Sequence, residues 1–127
     1  MAYELTRTYY DCGIVAVSNY LGVPYEMAFS LAKTSGLLTS ATGGMKTRSI
    51  GKLLQLLSGH EYELVKGWPG PREIGIARYQ KGPRAKSGHA IVMCEGYIMD
   101  YDGRVFLPET KFGTRRLYRK HWFRRKH

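Results

Sequence analysis

The apolar positions of this chain change their spacing about halfway along. Over residues 11–20 they fall in a helical stripe of Ile14, Val15 and Val17 that continues to Leu21; Asp11 is placed to cap the helix, and Gly22 with Pro24 to end it. Pro24 suits the first position of a second, shorter helix reaching about Ala32, with Met27, Ala28 and Leu31 on one face. The two helices are expected to pack together. Residues 34–46 are rich in Ser, Thr and Gly and read as a surface loop. From Thr47 to about Leu57 the helical spacing returns, with Ile50, Leu53, Leu54 and Leu57 at i, i+3, i+4 and i+7, and Gly59 stops it.

Beyond Gly59 the pattern is that of strands, over residues 61–66, 73–79, a hairpin, and 117–123. In the hairpin, His89-Ala90-Ile91-Val92-Met93-Cys94 and Tyr97-Ile98-Met99-Asp100-Tyr101-Asp102 flank Glu95-Gly96, a two-residue turn in which Gly accepts positive φ. A tight turn sets Ile91 across from Asp100 and His89 across from Asp102. His89, Ile91, Met93, Asp100 and Asp102 then share one face, and Cys94 points to the other, which makes it a poor partner for His89. Helices first and an antiparallel sheet afterwards predict an α+β domain.

A chain of 127 residues suits one domain spanning 1–127, and neither a repeat nor a linker divides it. Its net charge of +10 favours acidic partners. Much of that charge is local: residues 115–127 read RRLYRKHWFRRKH, with seven Lys/Arg and no acid. Two cysteines, Cys12 and Cys94, are too few for a disulfide framework and fit a reducing compartment. No apolar run approaches the roughly 20 residues of a membrane helix, and Met1-Ala2-Tyr3-Glu4 lacks the blocks of a signal peptide, so a cytoplasmic protein with no membrane partner is expected.

The candidate chemistry begins at Cys12. A thiol attacks as its thiolate, which the unpaired N–H groups and dipole of a helix start stabilise, and Cys12 has that position. A nucleophile needs a base, and the base needs a group that fixes its tautomer. His89 at a strand start, with Asp100 or Asp102 on the neighbouring strand, supplies both. Of the two carboxylates, Asp102 is followed by Gly103 and reads as a turn residue. A metal site drawn from Cys12, His60, His89 and Cys94 lacks ligand spacing, and no metal or cofactor is expected. Gly43-Gly44-Met45-Lys46 lacks the spacing of a phosphate loop and reads as a loop bordering the cleft.

Asp11-Cys12-Gly13 opening an apolar helix, followed far downstream by Ser87-Gly88-His89-Ala90-Ile91-Val92 and a hairpin to Asp100, resembles the papain-like cysteine peptidases related to those that cut double-glycine leaders from bacteriocin precursors. The resemblance spans most of the chain in element order. It implies the papain-like fold, with Cys12 as nucleophile, His89 as general base, Asp100 orienting the base, and a peptide or protein as substrate. Transferase or deamidase chemistry would use the same residues with a different acyl acceptor. A compact, basic member of this kind would suit a mobile-element or bacteriophage origin. The chain departs from the family at one place, where Thr6 stands in the usual position of a Gln that donates to the oxyanion. Loss of one such donor costs about 2.7 to 4 kcal/mol of transition-state stabilisation, leaving the Cys12 backbone N–H and the Thr6 or Thr8 hydroxyls to serve. The competing reading is an inert papain-like module that binds nucleic acid or an acidic protein through Arg115, Arg116, Arg119, Lys120, Arg124, Arg125 and Lys126. In that reading Tyr118, His121, Trp122 and Phe123, interleaved with the cations, stack bases while the cations neutralise phosphates. The bland account of the same segment is an amphipathic last strand, with aromatics inward and cations in solvent.

Overall fold

The computed structural model describes residues 11–40, 44–80, 82–84, 88–99, 105–108, 112 and 116–126, and for Phe106 the backbone alone. Three helices come first: α1 (Cys12–Leu21), α2 (Tyr25–Thr34) and α3 (Thr47–Ser58). Six strands follow: β1 (Tyr62–Lys66), β2 (Ile74–Gln80), β3 (His89–Cys94), β4 (Tyr97–Met99), β5 (Val105–Phe106) and β6 (Tyr118–Arg125). They form one antiparallel sheet in the order β1-β6-β2-β3-β4-β5. The class is the expected α+β. Among the described residues no helix is long and apolar enough to cross a membrane.

α1 is the central helix. Every residue from Cys12 to Asn19 is buried, because α2, α3 and the sheet close round it, so the stripe expected from the sequence is in fact a whole buried circumference. Asp11 does stand at the N-cap, but its side chain caps nothing in the helix. Its backbone, at φ −97° and ψ 16°, is outside the extended region from which a capping side chain turns back. The fully buried carboxylate instead accepts a 2.6 Å hydrogen bond from the Tyr25 hydroxyl, tying α1 to α2. In α2 the buried positions are Tyr25, Ala28 and Ala32, whereas Met27, expected inside, is 52% exposed. Small alanines allow close approach to α1, and Met27 is turned one residue away from that seam. Pro24 is the residue before the helix rather than its first. In α3 the expected Ile50, Leu53 and Leu54 are buried.

The hairpin register is the one a tight turn demands, with Cys94 across from Tyr97 and Val92 across from Met99. Glu95 and Gly96 both take positive φ, 50° and 87°, as a type I′ turn requires. β4 ends at Met99, and Asp100 and Asp102 lie outside the described residues. The two-residue β5 was not foreseen, being too short to carry a pattern.

The sheet has two different faces. On one, Ile76, Ala90, Val92 and Phe123 pack with α1, α2 and α3. On the other, Ala77, Tyr79, Ile91, Met93, Ile98 and Trp122 form a second core joined by Val65, Trp68, Phe112 and Leu117. Successive side chains of a strand alternate, so adjacent Trp122 and Phe123 serve opposite cores.

Candidate active site

Cys12 is the first residue of α1 and is nearly buried, 9% exposed. It borders a cleft of about 270 Å³ whose other described walls are Gly13, Thr39, Ser40, Gly44, Met45, Ile50, Arg78, Gly88 and Ala90. Each wall has a local cause. Leu38 forms a bridge with Met45, and the Thr39 N–H donates a 2.7 Å bond to the Gly44 carbonyl, which brings Gly44 and Met45 to the cleft as expected. Gly13 keeps the helix start close to its neighbours, since a Cβ there would stand 3.2 Å from both Ile50 Cδ1 and Met45 Cε. Gly88 does the same for the sheet: a Cβ would meet the Tyr79 carbonyl oxygen at 2.9 Å and Arg78 Cζ at 3.0 Å.

His89 opens β3 directly after Gly88 and is 4% exposed. It pairs with Tyr79 in the ladder, and its ring meets the Tyr79 ring edge-on at 5.8 Å between centroids. Tyr79 belongs to the aromatic core, with Phe112 at 5.1 Å and Trp68 at 6.5 Å. The expected sharing of one face by His89, Ile91 and Met93 is therefore found, but it is the face away from α1. Cys12 shares its cleft with Gly88 and Ala90, which flank His89 in the chain, and the imidazole meets the ring of Tyr79. Cys94 is half-buried near the hairpin turn. Asp100, Thr6 and Thr8 lie outside the described residues.

One residue of the cleft escaped the sequence reading. Arg78 lies in β2 two positions after Ile76, on the helix-facing side of the sheet, and its Nη1 donates to the Thr47 hydroxyl at the start of α3. Burial lowers the proton affinity of its guanidinium, and the charge of nearby Cys12 acts the other way. The signal was present in the sequence: an Arg in the run Ile74-Gly75-Ile76-Ala77-Arg78-Tyr79, at a position whose alternation points inward. On its far side a second hollow of about 190 Å³ is lined by Thr47, Leu64, Arg78, Gln80, Arg119 and His121. Here the β2–β6 register shifts between Arg78 and Gln80, and Arg119 takes a positive φ of 50°.

The basic C-terminal segment is an internal strand. Trp122 and Phe123 are buried, at 6% and 4% exposure, so these two rings are core and not a stacking surface. Several cations have neighbours of their own: Arg124 on Glu63 at 2.8 Å, Lys126 near Glu61 at 3.8 Å, Arg116 over Tyr118, and Lys120 over Trp68. Arg115 is outside the described residues. Among the described residues no three His, Cys, Asp or Glu side chains gather as a metal site would need.

Comparison with known proteins finds no matching family model and no matching curated protein.

Proposed function

We propose that this protein is a papain-like cysteine hydrolase, a peptidase or amidase acting through an acyl-enzyme. The observation that carries the reading is Cys12 at the first position of a buried helix, bordering a cleft whose opposite wall is the start of the strand that His89 opens. Cys12 Sγ attacks the carbonyl carbon of an amide, and His89 takes the thiol proton and delivers it to the leaving nitrogen. Water then attacks the thioester, with His89 again as base, and Cys12 is regenerated. Asp100 fixes the imidazole, a role that rests on the family resemblance. The His89 ring must leave Tyr79 and turn round the beginning of β3, where His89 is the first residue, to meet Sγ.

Alkylation tests this without a known substrate. Iodoacetamide should label Cys12 much faster than Cys94, and His89→Gln should remove most of that advantage at neutral pH. Once an amide substrate is found, His89→Gln should lower turnover by about 10²- to 10⁴-fold and Cys12→Ala should abolish it. Equal labelling of the two cysteines, or a Cys12 rate untouched by His89→Gln, would refute the reading.

A further inference from the structure

The walls of the Cys12 cleft are chemically lopsided. Among the described residues that line it, Arg78 is the one charged side chain, and no acid stands with it. A guanidinium on the inward face of a strand has lost part of its hydration, a loss that proteins ordinarily offset by pairing it with an anion. Here the described hydrogen-bond partner is the neutral hydroxyl of Thr47, which uses one of the five N–H groups that an Arg offers, and the described group whose negative charge acts on the guanidinium is Cys12 once ionised. The side chain is also held in place. Its Cζ and Nε lie against Gly88, where a Cβ would stand 3.0 and 3.1 Å from them, and Thr47 anchors the other end. A fixed, partly desolvated guanidinium with free donors fits the planar, two-oxygen geometry of a carboxylate better than any neutral group.

We infer that the Cys12 cleft is a receptor for a carboxylate held by Arg78, so that the substrates presented to the thiol are acidic ones. This rests on the hydrolase reading for its chemistry, but the binding itself can be measured without turnover. The +10 charge of the chain agrees with an acidic substrate and, acting from all sides, also sets the control that the test needs.

Iodoacetate and iodoacetamide have the same length and leaving group and differ in charge. With either, Sγ forms a bond to the methylene carbon as the carbon–iodine bond breaks and iodide departs. The rate of each at Cys12 is read by mass spectrometry on the full chain at about 0.15 M salt, where the general field is largely screened. The iodoacetate-to-iodoacetamide ratio is then divided by the same ratio for the unfolded protein. The wild type should favour iodoacetate by about tenfold, the effect of one partly screened charge a few ångströms away. Arg78→Gln should bring the ratio to about one, and Arg78→Lys should keep most of it. Thr47→Val keeps the charge, frees the side chain and should give an intermediate ratio, which preserves the test if Arg78→Gln does not fold. A wild-type ratio of one, or a preference that survives in Arg78→Gln, overturns the inference. Fast labelling of Cys12 that ignores charge leaves the hydrolase reading standing, whereas slow labelling by both reagents sinks that reading first. The source of the carboxylate is decided by protection: a peptide with an acidic side chain and an amidated end is compared with a neutral peptide ending in a free carboxylate. Whichever slows labelling of the wild type but not of Arg78→Gln names the group, and protection by neither counts against a carboxylate receptor.

Discussion

The two faces of the sheet are built from different materials. The face under the helices is mostly aliphatic, with Ile14, Val17, Ile50, Leu53, Leu54, Ile76 and Val92 fully buried beside Tyr25 and Phe123, and the cation Arg78 reaches the cleft that Cys12 borders. On the opposite face Trp68 and Phe112, joined by Val65 and Leu117, pack with Tyr79 and Trp122, and the Tyr79 ring meets that of His89. Aliphatic side chains interdigitate closely, and the Cys12 cleft opens where small residues and a loop meet, at Gly13, Gly44, Gly88 and Ala90. Aromatic rings meet edge-on, and such a layer holds an imidazole without exposing it. The thiol and the imidazole thus lie near the same stretch of β3 but in different surroundings, and the proposed chemistry requires them to meet at the start of that strand.

The largest effects should come from the pair that separates these layers. Trp122→Ala and Phe123→Ala each remove a buried ring and should cost about 3–5 kcal/mol, a large share of the stability of a domain this size. Their effect on the cleft should differ. Phe123 packs on Gly51 of α3, with its Cε1 3.2 Å from where a Cβ would stand, so its loss should loosen α3 and change the charge preference of Cys12 labelling. Trp122→Ala should leave that preference intact while the protein remains folded. Denaturant unfolding gives the stabilities, and paired alkylation gives the preference. A cleft disturbed equally by both variants would mean that the faces are one core.

A smaller change at the strand start sharpens the same contrast. In Gly88→Ala the new methyl group meets the Tyr79 carbonyl oxygen, which is backbone and cannot swing aside, and the Arg78 guanidinium, which can. Overpacking of this kind costs about 1–3 kcal/mol. The displaced Arg78 should also lose its hold on a carboxylate, lowering the iodoacetate preference of Cys12 while iodoacetamide labelling changes little. An unaltered preference in a folded Gly88→Ala would show that Arg78 does not depend on this close approach.

Why the sequence shows some of this and hides the rest can be said residue by residue. The helical repeat of α3 and the Glu95-Gly96 turn are local, each written within a few residues, and both are found with the expected register. The alternation of β3 likewise groups His89, Ile91 and Met93 correctly. It cannot say which group α1 covers, because Ala90, Ile91, Val92 and Met93 are all buried and a strand apolar on both sides carries no polar face to orient it. The same blindness hid Arg78, whose meaning depends on a helix and a loop remote in sequence. Asp11 misled for a related reason: its position is that of a cap, but a buried Tyr25 hydroxyl from the next helix takes its carboxylate.

The smallest effect tests the far end of α1, away from the cleft. Tyr20 meets Tyr62 of β1 edge-on at 6.2 Å between centroids. Its hydroxyl pKa is pushed up from 10.0 to about 12, first by burial, then by the hydrogen bond and charge of Tyr62, with Arg125 acting weakly the other way. An acid whose folded pKa is raised keeps its proton in the folded state while the unfolded chain gives it up. The unfolded state therefore binds fewer protons between about pH 10 and 12, and stability falls as pH rises through that window. Below pH 10 both states are protonated and the contribution is intact. Tyr20→Phe has no proton to lose, so its denaturation midpoint should fall less than that of the wild type between pH 9 and about 11.5, whatever the shared titration of the lysines does to both. Parallel decline of the two proteins would mean that Tyr20 is wetter than its contact with Tyr62 implies, and that the helix-covered layer ends before it reaches β1.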